Sequence, residues 1–117
     1  MRTPQSQSTH DSIVLARARQ LAAEGSRVWA DVQGYPKPQT VFGYIPDVLA
    51  NGTRNLISEV ETSDTYASQH TKDQLKAFDS ASNYSLEVVV PKSVYQAAVA
   101  YYNAWGVSVD YWRTFEG

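Results

Sequence analysis

GYIPDVLANGTRNLISEVET, residues 43–62, decides how this chain is read. Gly43 to Ala50 and Asn55 to Glu61 both read as strands, and Asn51-Gly52 between them is a dipeptide that favours a tight hairpin turn. Pro46 has no amide proton for a ladder, so the first of these strands is expected at an edge, at a bulge or beside a locally open ladder. Asp47 lies in the first strand. Glu59 and Glu61 lie two apart in the second, and side chains two apart share one face of a sheet. A short hairpin sets the strands side by side, so all three carboxylates come within reach of one another in a suitable register.

Upstream, Arg27 to Val32 (RVWADV) alternates as a strand. Before it, Val14, Ala18, Leu21 and Ala22 follow a helical spacing, with Arg17, Arg19, Gln20 and Glu24 on other faces. Ser8 or Thr9 is a candidate cap, so the helix is expected from about His10 and is ended by Gly25. Residues 1–9 then read as a flexible tail before a single domain, 10–117. The loop Gly34-Tyr-Pro-Lys-Pro38 carries two prolines, which forbid a regular ladder.

Downstream, a polar loop (62–70) leads to a helix expected over Thr71 to Ala81, with Leu75, Phe78 and Ala81 on its apolar face. Tyr84 to Val90 (YSLEVVV) is nearly continuous in β-branched residues, as in strands covered on both faces. Pro91 and Ser93 open a helix striped by Val94, Ala97, Ala98, Tyr101 and Trp105. Gly106 stops it, and Val107 to Trp112 alternates as a last strand. The order is α-β-β-β-α-β-α-β, which implies an α/β fold with a mixed central sheet flanked by helices.

The 117 residues (13.0 kDa) have room for one such domain. A hydrophobic share of 43% and a charged share of 19% are ordinary globular values and exclude a disordered chain. The absence of cysteine excludes disulfides, thiolate nucleophiles and iron–sulfur ligation. A net charge of −2 offers no strongly basic face. His10 and His70 are too few for a histidine-rich metal site. No apolar run approaches the roughly 20 residues that span a bilayer, so no membrane partner is expected and a cytoplasmic protein is.

Three converging carboxylates repel one another unless a cation lies among them. Oxygen donors of this kind favour Mg²⁺ or Mn²⁺ over zinc or copper. A Glu-x-Glu on one strand face is equally the pattern of a solvated face. Two details count against that reading: Ser58 and Val60 make only a weakly apolar opposite face, and the apolar neighbours place this strand centrally, where acids need a purpose.

Gly43-x-x-Pro46-Asp47-Val48-x-Ala50, followed after the hairpin by Leu56-Ile57-x-Glu59-Val60-Glu61-Thr62, resembles the PD-(D/E)xK nuclease superfamily. More narrowly, it is similar to the small archaeal-type Holliday-junction-resolvase-like members. Gln74-Leu75-x-x-Phe78 and Leu86-Glu87-Val-Val-Val-Pro91 continue the resemblance, which covers residues 10–112. It implies a restriction-endonuclease-like fold and Mg²⁺- or Mn²⁺-dependent hydrolysis of DNA phosphodiesters, extending to branched DNA, by a homodimer. Asp47 and Glu59 would then be metal ligands with the Val60 carbonyl, Gln74 would orient substrate or metal-bound water, and Glu24 would be the first-helix acid that completes the site. The signature lysine falls on Glu61, a departure. A carboxylate there can serve as general base or outer-sphere ligand, and Lys37, Lys72 or Lys76 are candidate replacements for the missing cation. The alternatives are a catalytically inactive module of the same fold that binds nucleic acid or a protein partner, and a purely structural domain.

Other residues weigh less. Asp31 and Tyr35 are candidates to flank a substrate groove, though a turn bracing the sheet edge explains them as well. His70 reads as an exposed loop histidine before it reads as a base. Tyr101 and Trp105 read as core, and Tyr111, Trp112 and Phe115 as cover for an apolar patch or a dimer face. Arg17, Arg19 and Arg27 are the nearest approach to a phosphate-contacting cluster.

Overall fold

In the computed structural model, which describes residues 2–117, five strands form one mixed sheet ordered β1 (Arg27–Ala30), β2 (Val48–Asn51), β3 (Leu56–Val60), β4 (Ser85–Pro91) and β5 (Tyr111–Phe115). β1, β2 and β3 run as an antiparallel meander, and β4 and β5 continue parallel to β3. The parallel steps need crossovers, supplied by α2 (Gln69–Asp79) and by α3 (Tyr95–Trp105) after a 3-10 turn at Lys92–Val94. The order of elements is the one read from the sequence. β3 is the central strand and all five of its residues are buried.

Alternation explains how one sheet serves two layers. Leu86, Val88 and Val90 of β4 join Leu49 and Ile57 under Leu75 and Phe78 of α2 and Ala98 and Tyr102 of α3. Val89, on the opposite side, joins Val48, Ala50, Leu56 and Val60 under α1 (Pro4–Ala23), through its Val14, Ala18 and Leu21. The continuous apolar run of β4 is therefore buried on both faces, as its composition demands. Two successive crossovers in one direction fall on one face when both are right-handed, which leaves the other face to α1.

Several boundaries move. α1 begins at Pro4, so the tail expected over residues 1–9 is corrected: from Pro4 onward those residues are helix. The Thr3 hydroxyl accepts from the Ser6 amide and Pro4 takes the first turn, a stronger start than Ser8 or Thr9 offers. β2 is shorter than its sequence pattern. Residues 41–44 instead form a tight turn bridged between Val41 and Tyr44, with φ of 49° at Phe42 and 87° at Gly43, and Pro46 precedes the ladder. Tyr101 is 46% exposed, and its neighbour Tyr102 is the core residue of α3, stacked on Trp105 and Trp112.

Candidate active site

Asp47 lies one residue before β2 and Glu59 lies in β3, in a pairing that sets Val48 opposite Ser58. The two acids lock together. The Asp47 amide donates to Glu59 Oε2, and the Val60 amide donates to Asp47 Oδ2 at 2.8 Å. Asp47 is held from both sides, its carbonyl accepting from the Asp31 amide at 2.9 Å while its own amide goes to the Glu59 side chain.

Glu61 follows at the end of β3. Its Oε1 accepts from the hydroxyls of Thr65 (2.8 Å) and Thr71 (3.0 Å). Glu59 is 1% exposed and Glu61 is 2% exposed. Burial, then the charges of Asp47 and Glu61, push the Glu59 carboxyl well above the usual carboxylate range. Burial and then Asp47 raise Glu61 to about 7, against the hydroxyls that favour its charged form. Two acids have thus been taken out of water beside a partly exposed third, at an electrostatic cost that burial of apolar surface does not explain.

Arg2, the residue before the α1 cap, and His10 of α1 bring cationic groups to them. Arg2 donates to the Val60 carbonyl (3.1 Å) and to the Thr62 hydroxyl (3.2 Å), and stands 3.7 Å from Glu61 Oε1. His10, one turn and a half into the helix, places Nε2 at 3.1 Å from Asp47 Oδ2 and Nδ1 at 3.0 Å from Asp11 Oδ1. Burial draws the His10 pKa down, but the carboxylates of Asp47 and Asp11 more than offset it, and the net direction is upward.

These groups line a cleft of about 420 Å³ together with Asp31, His70, Gln74 and others. A broader groove of about 940 Å³ shares Gln7, Asp11 and Asp31 with this cleft, and its walls include Tyr35 and Lys37. Asp47, Glu59 and Glu61, which the hairpin spacing puts within reach of one another, and Gln74, which only the resemblance singled out, all line this cleft, and the Gln74 amide reaches the Ile45 carbonyl at 3.5 Å. The Val60 carbonyl is held by Arg2.

Glu24 is not there. It caps the far end of α1, where it is exposed and meets Arg54 at 3.3 Å, so its assignment to the site is corrected: the helix points the opposite end at the carboxylates. No lysine lines the cleft among the described residues; Lys37 belongs to the outer groove. Arg2 and His10 are the residues that sequence reasoning missed. Arg2 sat in a stretch read as a tail, and His10 at a helix start, where no spacing ties either to Asp47. Arg17 is likewise no phosphate contact, being buried on Glu87.

Among the described residues, no group of three or more His, Asp or Glu side chains stands at metal-holding spacing. The groups that face these carboxylates are the Arg2 guanidinium, near Glu61 and on the Val60 carbonyl, and the His10 imidazole near Asp47. No helix of the described residues is long and apolar enough to cross a membrane. No protein-family model matches the chain, and neither the curated proteins nor the solved structures include one that matches it.

Proposed function

We propose that this protein is a divalent-metal-dependent DNA endonuclease of restriction-endonuclease-like fold, resembling the Holliday-junction-resolvase-like nucleases and acting as a homodimer. One observation carries the reading: Asp47, Glu59 and Glu61 converge at the end of a central strand, two of them almost wholly buried, in the lining of a cleft that adjoins a larger groove. A purely structural domain would gain by replacing them with apolar residues.

Asp47 and Glu59 would hold Mg²⁺ or Mn²⁺, with the Val60 carbonyl as a further donor. The ion would lower the pKa of a bound water and draw charge from a scissile phosphate. Glu61, poised near neutrality by its burial, is placed to accept a proton from the attacking water. Gln74 borders the same space and orients what enters it. Arg2 supplies the positive charge that the signature lysine would otherwise bring.

The second reading, an inactive module of this fold that binds nucleic acid or a protein partner, is favoured by the Arg2 guanidinium lying on the Val60 carbonyl, where it competes with any ion. Labelled duplex, single-stranded and four-way-junction DNA incubated with Mg²⁺ or Mn²⁺ separates the two. Cutting by the wild type and not by Asp47→Ala supports the nuclease. Salt-sensitive DNA binding without turnover supports the module.

A further inference from the structure

Phe42 is the one residue other than glycine with a positive φ among the described residues, and its ring is the most exposed of their large hydrophobic side chains. Phe42 and Gly43 are the central pair of a turn closed from both sides. The Val41 amide donates to the Tyr44 carbonyl at 2.7 Å, and the Tyr44 amide to the Val41 carbonyl at 3.2 Å. Positive φ at both central positions is the pattern of a type I′ turn, which favours Asn, Asp or Gly where Phe42 stands. A phenyl ring there strains the backbone and, left in solvent, recovers little of the cost through burial. Strain of this kind is characteristic of loops with a binding role.

The turn is a firm mount beside the cleft. Val41 and Tyr44 pack against the core on the α2 side of the sheet. The Tyr44 ring meets Phe78 and His70 edge-on, at 6.4 and 6.0 Å between centroids. His70 and Ile45, the residue after Tyr44, both line the cleft that holds Asp47, Glu59 and Glu61. The short stretch that brings Asp47 to the site therefore also presents Phe42. Its neighbours Gln39, Thr40 and Gly43 are exposed and carry no large apolar side chain. An anchor for a protein partner sits within a wider patch of contacts that excludes water. One isolated ring face is what a single unpaired nucleobase requires.

We propose that Phe42 is a stacking platform for one unpaired nucleobase of a nucleic acid lying in the cleft. The platform rests on the reading of that cleft as a nucleic-acid site, and it narrows the substrate class to strands with an unstacked base beside the cleft. A base inside a closed duplex is covered on both faces by its neighbours and offers none to the ring.

The test uses the full chain and DNA binding, measured by fluorescence anisotropy in Ca²⁺ and again in EDTA. The probes are a single strand, a duplex with one unpaired base and a fully paired duplex. F42A and F42N should bind the first two about 5- to 100-fold more weakly than wild type, the range expected for loss of one stacked base. The paired duplex should be little changed, and F42W, which keeps a ring, should stay close to wild type. F42N relieves the turn, so its melting temperature should be at or above that of wild type while its binding falls. 2-Aminopurine at the unpaired position should change its emission on binding wild type and not on binding saturating F42N. F42N that binds single strands as tightly as wild type overturns the platform and leaves the DNA reading standing. An equal loss on the paired duplex also overturns it. Self-association abolished by F42N, with DNA affinity unchanged, overturns it in favour of a protein contact. No DNA binding by wild type in either condition overturns both readings. Phe42-dependent binding by a protein that cuts no DNA supports the platform and overturns the nuclease.

Discussion

Arg17 and Glu87 meet as a two-pronged fork, Nε to Oε1 and Nη2 to Oε2 both at 2.8 Å, although they stand 70 residues apart and are respectively 4% and 1% exposed. Ser58, paired with Glu87 across β3 and β4, adds a hydroxyl donor at 2.6 Å, and Gln20 takes another Arg17 nitrogen. The charges are matched and well bonded, which is the condition for a buried ion pair to be tolerated.

Breaking this fork from one side should be costly. R17M leaves the Glu87 carboxylate buried without its partner and is expected to lower stability by about 3–5 kcal/mol, read by urea denaturation. The double variant R17M/E87L should recover most of that loss, because two apolar side chains replace two desolvated charges.

The carboxylates of the cleft should behave in the opposite way. E59Q and D47N are each expected to abolish metal-dependent DNA turnover, with losses of about a thousandfold or more, while metal-free stability stays equal to wild type or rises. Melting temperature in EDTA and cleavage rate, measured side by side, check both halves.

Acid should loosen the start of α1. The Thr62 hydroxyl, then Ser6 and the Thr3 amide, hold Asp64 down to a pKa of about 2 from an ordinary 3.8, with some opposition from burial. The folded value lies below the unfolded one, so this contribution is present above about pH 4 and is lost as pH falls toward 2. Amide exchange over residues 4–8 should accelerate across that window in wild type and show no such step in D64N, which is open throughout.

The turn at Phe42 carries strain that a substitution can relieve. Its φ of 49° is in the left-handed region, and the ring is 65% exposed, so little packing is at stake. F42N should stabilise the protein by about 0.5–1 kcal/mol, because Asn tolerates that region far better than Phe. Thermal melts read the difference.

What the sequence revealed follows from which forces are local. The apolar run of β4, the meander around Asn51-Gly52 and the stripe of Val14, Ala18 and Leu21 are each legible because burial selects residues at a fixed period. Asp47, Glu59 and Glu61 were legible as a cluster because they sit on neighbouring strands joined by a few residues. Glu24 misled because helix amphipathicity says which face is buried and nothing of which end meets the site. Thr3 capping Pro4 was hidden inside a run of polar residues that composition alone assigns to a tail. Arg2, His10 and Arg17 form their partnerships across 37 to 70 residues of chain, where no periodicity carries a signal.

The separation of these contributions along the chain also sets an order in time. Asp47 and Glu59 are only 12 residues apart, within one meander, whereas Arg2 reaches Val60 across 58 residues and β4 must wait for a helical crossover. Loop-closure entropy delays distant contacts relative to near ones. The nascent domain is therefore expected to assemble its carboxylate pair first and to acquire its arginine and imidazole only when α1 docks. Until then the newly made chain holds a bare, unneutralised acidic floor.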